Sequence, residues 1–233
     1  MMDPQYQSTS VAASVAGIAL VLDLSGALFI PDGAILIVSD LHFEKASSFA
    51  RRGHFVPPYD TTVTLQALEA AVHLYAPKTV ICLGDSFHDP FSGERLQPDI
   101  VSRLAALATG RNWIWITGNH DPQVPAMLDG DRAEELSIGP LSLRHIPLSG
   151  KLGHGEIAGH LHPQARIVRR SRSVRRPCFA TDGKRLIMPA FGALTGGLSL
   201  SNRAFNGLFD KALLTAYMIG ADRIHAVSAE GLN

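Results

Sequence analysis

The chain has 233 residues, 46% of them apolar, 18% charged and 7% aromatic, with 21 Lys and Arg against 21 Asp and Glu. This composition excludes a mainly disordered chain, and a formal charge of zero removes any global attraction to a polyanion or a membrane surface. The length suffices for one large domain, expected over residues 1–233, and the two cysteines, Cys82 and Cys178, supply no disulfide framework and read as buried free thiols of a reducing compartment.

Residues 11–22 are apolar and about as long as the core of a signal peptide, but Asp3 precedes them and the first basic residue is Lys45. Asp23 and Asp32 cut the stretch short of the roughly 18 apolar residues a bilayer span needs, so the chain reads as cytoplasmic and without a membrane partner. Residues 17–23 and 27–31 read as strands around Ser25-Gly26, and 34–38 as a continuous apolar strand ending at Ser39-Asp40. Asp60 opens a helix whose apolar face carries Leu65, Leu68, Ala71 and Val72. A buried strand at 79–83 ends at Gly84-Asp85, a helix follows over about 99–108, and a strand at 113–116 runs into Thr117-Gly118-Asn119. Beyond Pro140 come short strands at 141–146, 156–158, 166–168, 178–180 and 185–188, while apolar residues 212–219 read as a core helix or a subunit contact. A helix-rich first half before a strand-rich second half predicts an α/β (α+β) architecture, two sheets face to face with helices outside.

Each buried strand ends in residues suited to chemistry: Asp40-x-His42, Gly84-Asp85-x-x-His88, Gly118-Asn119-His120-Asp121, His145 and Gly159-His160-x-His162. The carboxyl ends of strands form the ligand crevice of an open α/β sheet, so these groups are expected to converge. Residues two apart on an extended strand point the same way, which lets Asp-x-His and His-x-His each grip one centre. Carboxylate, imidazole and amide oxygen together suit Mn, Fe or Zn and are too nitrogen-rich for a typical Ca site. Phe87, Phe91 and Tyr59 read as core. Lys45, Arg51 and Arg52 follow the first motif closely enough to meet a phosphate, and residues 166–176 hold six arginines, a strip for either a nucleic-acid backbone or a protein partner.

The ordered motifs over residues 35–162 resemble the calcineurin-like metallophosphoesterases. More narrowly, Asp40-Leu-His-Phe-Glu-Lys45, Cys82-Leu-Gly-Asp-Ser-Phe-His88, Ile157-Ala-Gly-His-Leu-His-Pro163 and Leu186-Ile-Met-Pro-Ala-Phe-Gly192 make the chain similar to bacterial phosphoesterases associated with a DNA ligase and a helicase in DNA-damage response. The resemblance implies a single-domain, four-layer β-sandwich flanked by helices, with residues 163–233 completing the second sheet. It implies two divalent ions, Mn2+ foremost with Fe, Zn or Mg as alternatives: one on Asp40, His42, Asp85 and His162, the other on Asp85, Asn119, His145 and His160. A bridging Asp85 would set the ions about 3.5–4 Å apart, the spacing that serves an in-line displacement by an ionised water. His120 is then the group that stabilises phosphoryl charge and protonates the leaving oxygen, with His88 and Asp121 orienting it or the substrate. His145 is preferred to His154 as the ligand because it ends a strand. DNA is the substrate implied, contacted by Lys45, Arg169, Arg170 and Arg172, with a DNA ligase and a helicase of the same repair system as partners. The competing functions are a phosphodiesterase or phosphatase for small nucleotides or lipid head groups, and a repair-complex docking module with little activity.

Overall fold

The computed structural model describes residues 9–150, 152–169 and 172–232. Two sheets face each other. The first has the strand order β1 (Ser10–Val15), β2 (Ile18–Asp23), β3 (Leu28–Ile30), β4 (Ile35–Val38), β5 (Thr79–Leu83), β6 (Asn112–Ile116) and β7 (Asp131–Ala133). Its first strands are antiparallel, and β4 to β7 are parallel, joined by α1 (Lys45–Arg51), α2 (Asp60–Tyr75) and α3 (Pro98–Ala108). The second sheet contains β8 (Glu135–Ile138), β9 (Leu141–Arg144), β10 (Gly155–Ala158), β11 (Pro163–Arg169), β12 (Arg172–Thr181), β13 (Arg185–Ile187), β14 (Leu198–Ser199), β15 (Thr215–Ile219) and β16 (Ile224–Ser228), with β9, β10 and β13 parallel at its centre.

The period-2 alternation of the central strands builds two cores from one sheet. Val80, Cys82, Trp113 and Trp115 face α2 and α3, whereas Ile81, Leu83 and Ile116 face Leu143, Ile157, Phe179 and Leu186 of the second sheet. The three α-helices among the described residues belong to the first half of the chain. On the second sheet's other side, Leu161 and Ile187 are covered by the 3-10 turn Arg203–Phe205 and by Leu208 and Phe209, so coil and short turns form the outer layer there.

Two elements depart from the sequence expectation. The apolar run at 11–22 is a hairpin, broken at Ala16 and Gly17, both at positive φ, where a two-residue turn pairs Val15 with Ile18. Residues 212–219, expected as a helix or a subunit contact, contain β15, hydrogen-bonded between β12 and β16. Its burial alternates, with Ala216 and Met218 inside, and a continuous apolar sequence satisfies either period.

A buried ion pair holds the loop that follows β9. Arg185 and Glu156 are each 0% exposed; Arg185 Nε donates to Glu156 Oε2 at 2.5 Å, while its Nη atoms donate to the carbonyls of Leu148 and Leu208, both at 2.6 Å. Removing Arg185 takes away the closest partner of the buried Glu156 carboxylate, which keeps the Leu148 N–H and, 3.4 Å away, Arg144, so Arg185→Ala is expected to lower stability by about 3 kcal/mol. Arg103→Ala, which breaks a half-exposed bidentate pair with Glu69 between α2 and α3, is expected to cost under about 1 kcal/mol. Urea denaturation of the two variants checks the ordering.

Candidate metal centre

All the loops that carry the motifs leave the carboxyl ends of parallel strands. Asp40 and His42 follow β4, Asp85 and His88 follow β5, Asn119, His120 and Asp121 follow β6, His145 follows β9, and His160 and His162 follow β10. The two sheets bring these ends to a common edge. The β4 and β5 loops are tied directly, with Asp40 N–H donating to the Gly84 carbonyl and His42 N–H to that of Asp85.

The paired motifs do not lie on extended strand, as their spacing suggested. Asp40, His42, Asp85, His160 and His162 all have positive φ, between 44° and 69°. Non-glycine residues in this region are strained by about 1–3 kcal/mol each, and such residues persist where the surroundings over-determine them. The left-handed residues turn each loop back on itself, which is how side chains two apart converge. Gly159 is required at its position because a Cβ there would collide with Ser39 Oγ and with the Asp40 carboxylate.

Three groups of converging donor atoms result among the described residues, one of them His42, His88 and His120, with His42 Nδ1 and His88 Nδ1 3.5 Å apart. Asp40, His42 and His162 offer donor atoms within 4.8 Å of one another, and so do Asp85, His145 and His160. His145 Nε2 lies 3.1 Å from Asn119 Oδ1, 3.3 Å from Asp85 Oδ2 and 3.3 Å from His160 Nδ1. His162 Nε2 lies 2.9 Å from Asp40 Oδ1 yet is buried without a hydrogen-bond partner: the two atoms approach one point without donor geometry. Behind the ligands, His145 Nδ1 donates to the Leu83 carbonyl and His162 Nδ1 to that of Gly196, leaving each Nε2 lone pair for the site. Ser39 Oγ donates to Asp40 Oδ2 at 2.6 Å, and the His120 N–H donates to Asp85 Oδ1 at 2.8 Å.

The electrostatics call for a cation. Burial by itself would raise both carboxyls, but His162, His145 and Ser39 hold Asp40 below its ordinary value, and His145 and His120 hold Asp85 down to about 2. Burial lowers His42 to about 3 and, with the charge of Lys45, lowers His88 to about 4. His145 goes the other way: burial opposes its charge, but Asp85 and Asp40 outweigh it and raise the imidazole to about 9. Two buried carboxylates therefore share the charge of one raised imidazole, in an arrangement furnished with O and N donors suited to a cation.

The remaining predicted residues have varied placements. His120 is partly exposed, with Nδ1 donating to the His88 carbonyl at 2.8 Å and Nε2 3.9 Å from Asp85 Oδ2; its ring stacks on that of His88. Asp121 is buried, and its oxygens accept the backbone N–H groups of Asp85, Gly118 and Phe87, which ties the β5 and β6 loops together. Burial raises its carboxyl to about 7 despite those bonds. Lys45 opens α1, half-buried, its ammonium lowered by burial against the pull of Asp60, Asp40 and Asp85. Arg169 and Arg172 pair across the β11–β12 hairpin, and Arg170 lies outside the described residues. Of the aromatic residues expected in the core, only Phe87 is there; Tyr59 is 68% exposed and Phe91 55%, because both sit in loops beside α1 and α2. His154 is exposed on the loop before β10. Sequence reasoning missed Ser39, although it adjoins Asp40, and it missed the Leu83 and Gly196 carbonyls, for which no residue type signals.

A model of the calcineurin-like phosphoesterase family matches residues 33–180. The chain belongs to that family. Among solved structures, the nuclease MPE of Pseudomonas putida superposes with a TM-score of 0.70 at 26% identity, over 94% of this chain and 100% of that one. YfcE, a phosphoesterase from E. coli, gives a TM-score of 0.42 at 18% identity, over 84% and 98% of the two chains. No curated protein matches significantly. As a calcineurin-like phosphoesterase the chain is a hydrolase of phosphoester bonds, from a family that uses divalent metals, and its Asp and His clusters are groups that can hold them.

A cation entering beside His145 must displace the proton held there up to about pH 9. The affinity for Mn2+ is therefore expected to rise with pH, roughly tenfold per unit between about pH 6 and pH 8, with a proton released on binding. Calorimetry in buffers of different ionisation enthalpy measures both, and a pH-independent affinity would contradict the expectation.

Proposed function

We propose that the chain is a dinuclear metal-dependent phosphodiesterase acting on DNA. In this reading Asp40, His42, Asp85 and His162 hold one divalent ion and Asp85, Asn119, His145 and His160 hold the other. Manganese is the first choice, with iron, zinc or magnesium accepted by the same donors. The observation that carries the reading is His145 Nε2 within 3.3 Å of ligand atoms from Asp85, Asn119 and His160, beside the Asp40 and His162 pair. When bound, the ions supply a solvent nucleophile ionised near neutral pH and neutralise phosphoryl charge.

The chain's own residues orient and protonate. Because Nδ1 of His120 donates to the His88 carbonyl, Nε2 is the nitrogen that, in the imidazolium form, gives its proton to the leaving oxygen and leaves the neutral ring behind. His88 stacks on that ring and fixes its plane, acting as a positioning residue. Lys45 adds a cation within electrostatic reach of Asp40 and Asp85, where phosphoryl oxygens would gather.

DNA as the substrate is supported by the full-length similarity to a nuclease and by the β11–β12 hairpin. β11 begins directly after His162, so at about 3.3 Å per residue Arg166 stands roughly 13 Å along the strand from the centre. The hairpin register sets Arg166 opposite Arg175. Like charges opposed in a ladder repel, and a phosphate backbone laid along them relieves the repulsion. A place beside a DNA ligase and a helicase belongs to the same proposal, and the complete ligand set disfavours a docking module without chemistry.

Rates on bis(p-nitrophenyl) phosphate, plasmid and single-stranded DNA, with Mn, Mg, Zn and Fe restored one at a time to stripped protein, test the reading; hydrolysis of the chromogenic diester alone would remove DNA from it. His120→Ala is expected to lower kcat by about 10²–10⁴-fold while metal content stays the same. Undiminished kcat would exclude the proton-donor role. Arg166→Ala with Arg175→Ala is expected to weaken DNA binding and flatten the log–log salt dependence by about 1–2. An unchanged slope would assign the hairpin another partner.

A further inference from the structure

A cavity of about 360 Å³ opens beside the candidate metal centre, with Asn119 and His145 in one wall and Glu134, Glu135, Arg144 and Ile146 in the others. Its volume suits a single organic group. The charge here differs from that around α1, where Lys45, Arg51 and Arg52 gather. Arg144 is already committed: Nη2 lies 2.6 Å from Glu135 Oε1 and donates to Ser142 Oγ at 3.3 Å, while Nε lies 3.4 Å from Glu156 Oε1. Glu134 is exposed and makes no hydrogen bond or ion pair among the described residues. Glu134 is therefore the carboxylate of the cavity left to accept hydrogen bonds from a ligand. Because Asn119 and His145 belong to both, an ester arm of a phosphodiester held at the centre would adjoin this cavity. The arm that fits is neutral and planar, with N–H groups to give to a carboxylate and a face to lay against the Arg144 guanidinium and the half-exposed Ile146 side chain.

We propose that this cavity is a nucleobase subsite, taking the base next to the scissile phosphate and favouring bases that carry an exocyclic amino group over thymine. The proposal rests on the phosphodiesterase reading above. Glu134 is the acceptor, Arg144 the stacking surface, and Glu135 a positioning residue that holds Arg144. An amino donor matched by a carboxylate discriminates between bases by about tenfold.

The test measures kcat/KM of the manganese-loaded protein on oligo-dC and oligo-dT of equal length, with bis(p-nitrophenyl) phosphate as the control. The wild-type protein is expected to prefer oligo-dC by about tenfold, and Glu134→Gln to bring the ratio below about twofold, since an amide offers both an acceptor and a donor and serves either base. A wild-type ratio near one, or a ratio unchanged in Glu134→Gln, overturns the subsite. Failure of the wild-type protein to hydrolyse bis(p-nitrophenyl) phosphate overturns the phosphodiesterase reading and the subsite with it.

Discussion

Two ionised carboxylates, Asp40 and Asp85, are buried where the carboxyl edges of two sheets meet, and much of the molecule serves to keep them there. Charges withdrawn from water are costly unless paired. The surrounding structure answers with backbone and side-chain donors: Ser39 Oγ and the His160 N–H reach Asp40, and the His120 N–H reaches Asp85. Without a metal, a proton on His145 supplies the balancing charge. The strained backbone at five of the clustered Asp and His residues is tolerated because parallel strands, loop hydrogen bonds and glycine-sized gaps hold those loops in place.

The rim of the site is polarised. Lys45, Arg51 and Arg52 gather around α1, with Arg51 over the exposed ring of Phe91, while Glu134 and Glu135 line the cavity next to His145. In the proposed reading, a phosphodiester lying across the centre would meet cations at one part of the rim and carboxylates at another, a difference that would give the substrate a direction.

Much of this was legible in the sequence where burial and chemistry coincide. Residues 34–38, 79–83 and 113–116 are continuous apolar runs because parallel strands are covered on both faces, and the polar residues directly after them are the site. Other parts were hidden for physical reasons. β1 and β2 merge into one apolar run because a two-residue turn interrupts it with only Ala16-Gly17. β7 and β8 are short and largely exposed, so neither carries a buried period. The residues at 215–219 satisfy helix and strand patterns alike until their partners in β12 and β16 decide. The left-handed conformations of Asp40, His42, Asp85, His160 and His162 are tertiary consequences: Asp and His enter this region more readily than most side chains, but most Asp and His residues do not, and only the surrounding loops select it here. Asp121 reads as catalytic because it adjoins His120, yet three backbone N–H groups claim it.

The claim on which the functional reading stands is that Asp85 serves two cations at once. Anomalous diffraction at the manganese edge from crystals equilibrated with Mn2+ addresses it directly. Two peaks about 3.5–4 Å apart, both within coordination distance of the Asp85 carboxylate, are the expected result. One peak, or two that do not share Asp85, would contradict the dinuclear assignment.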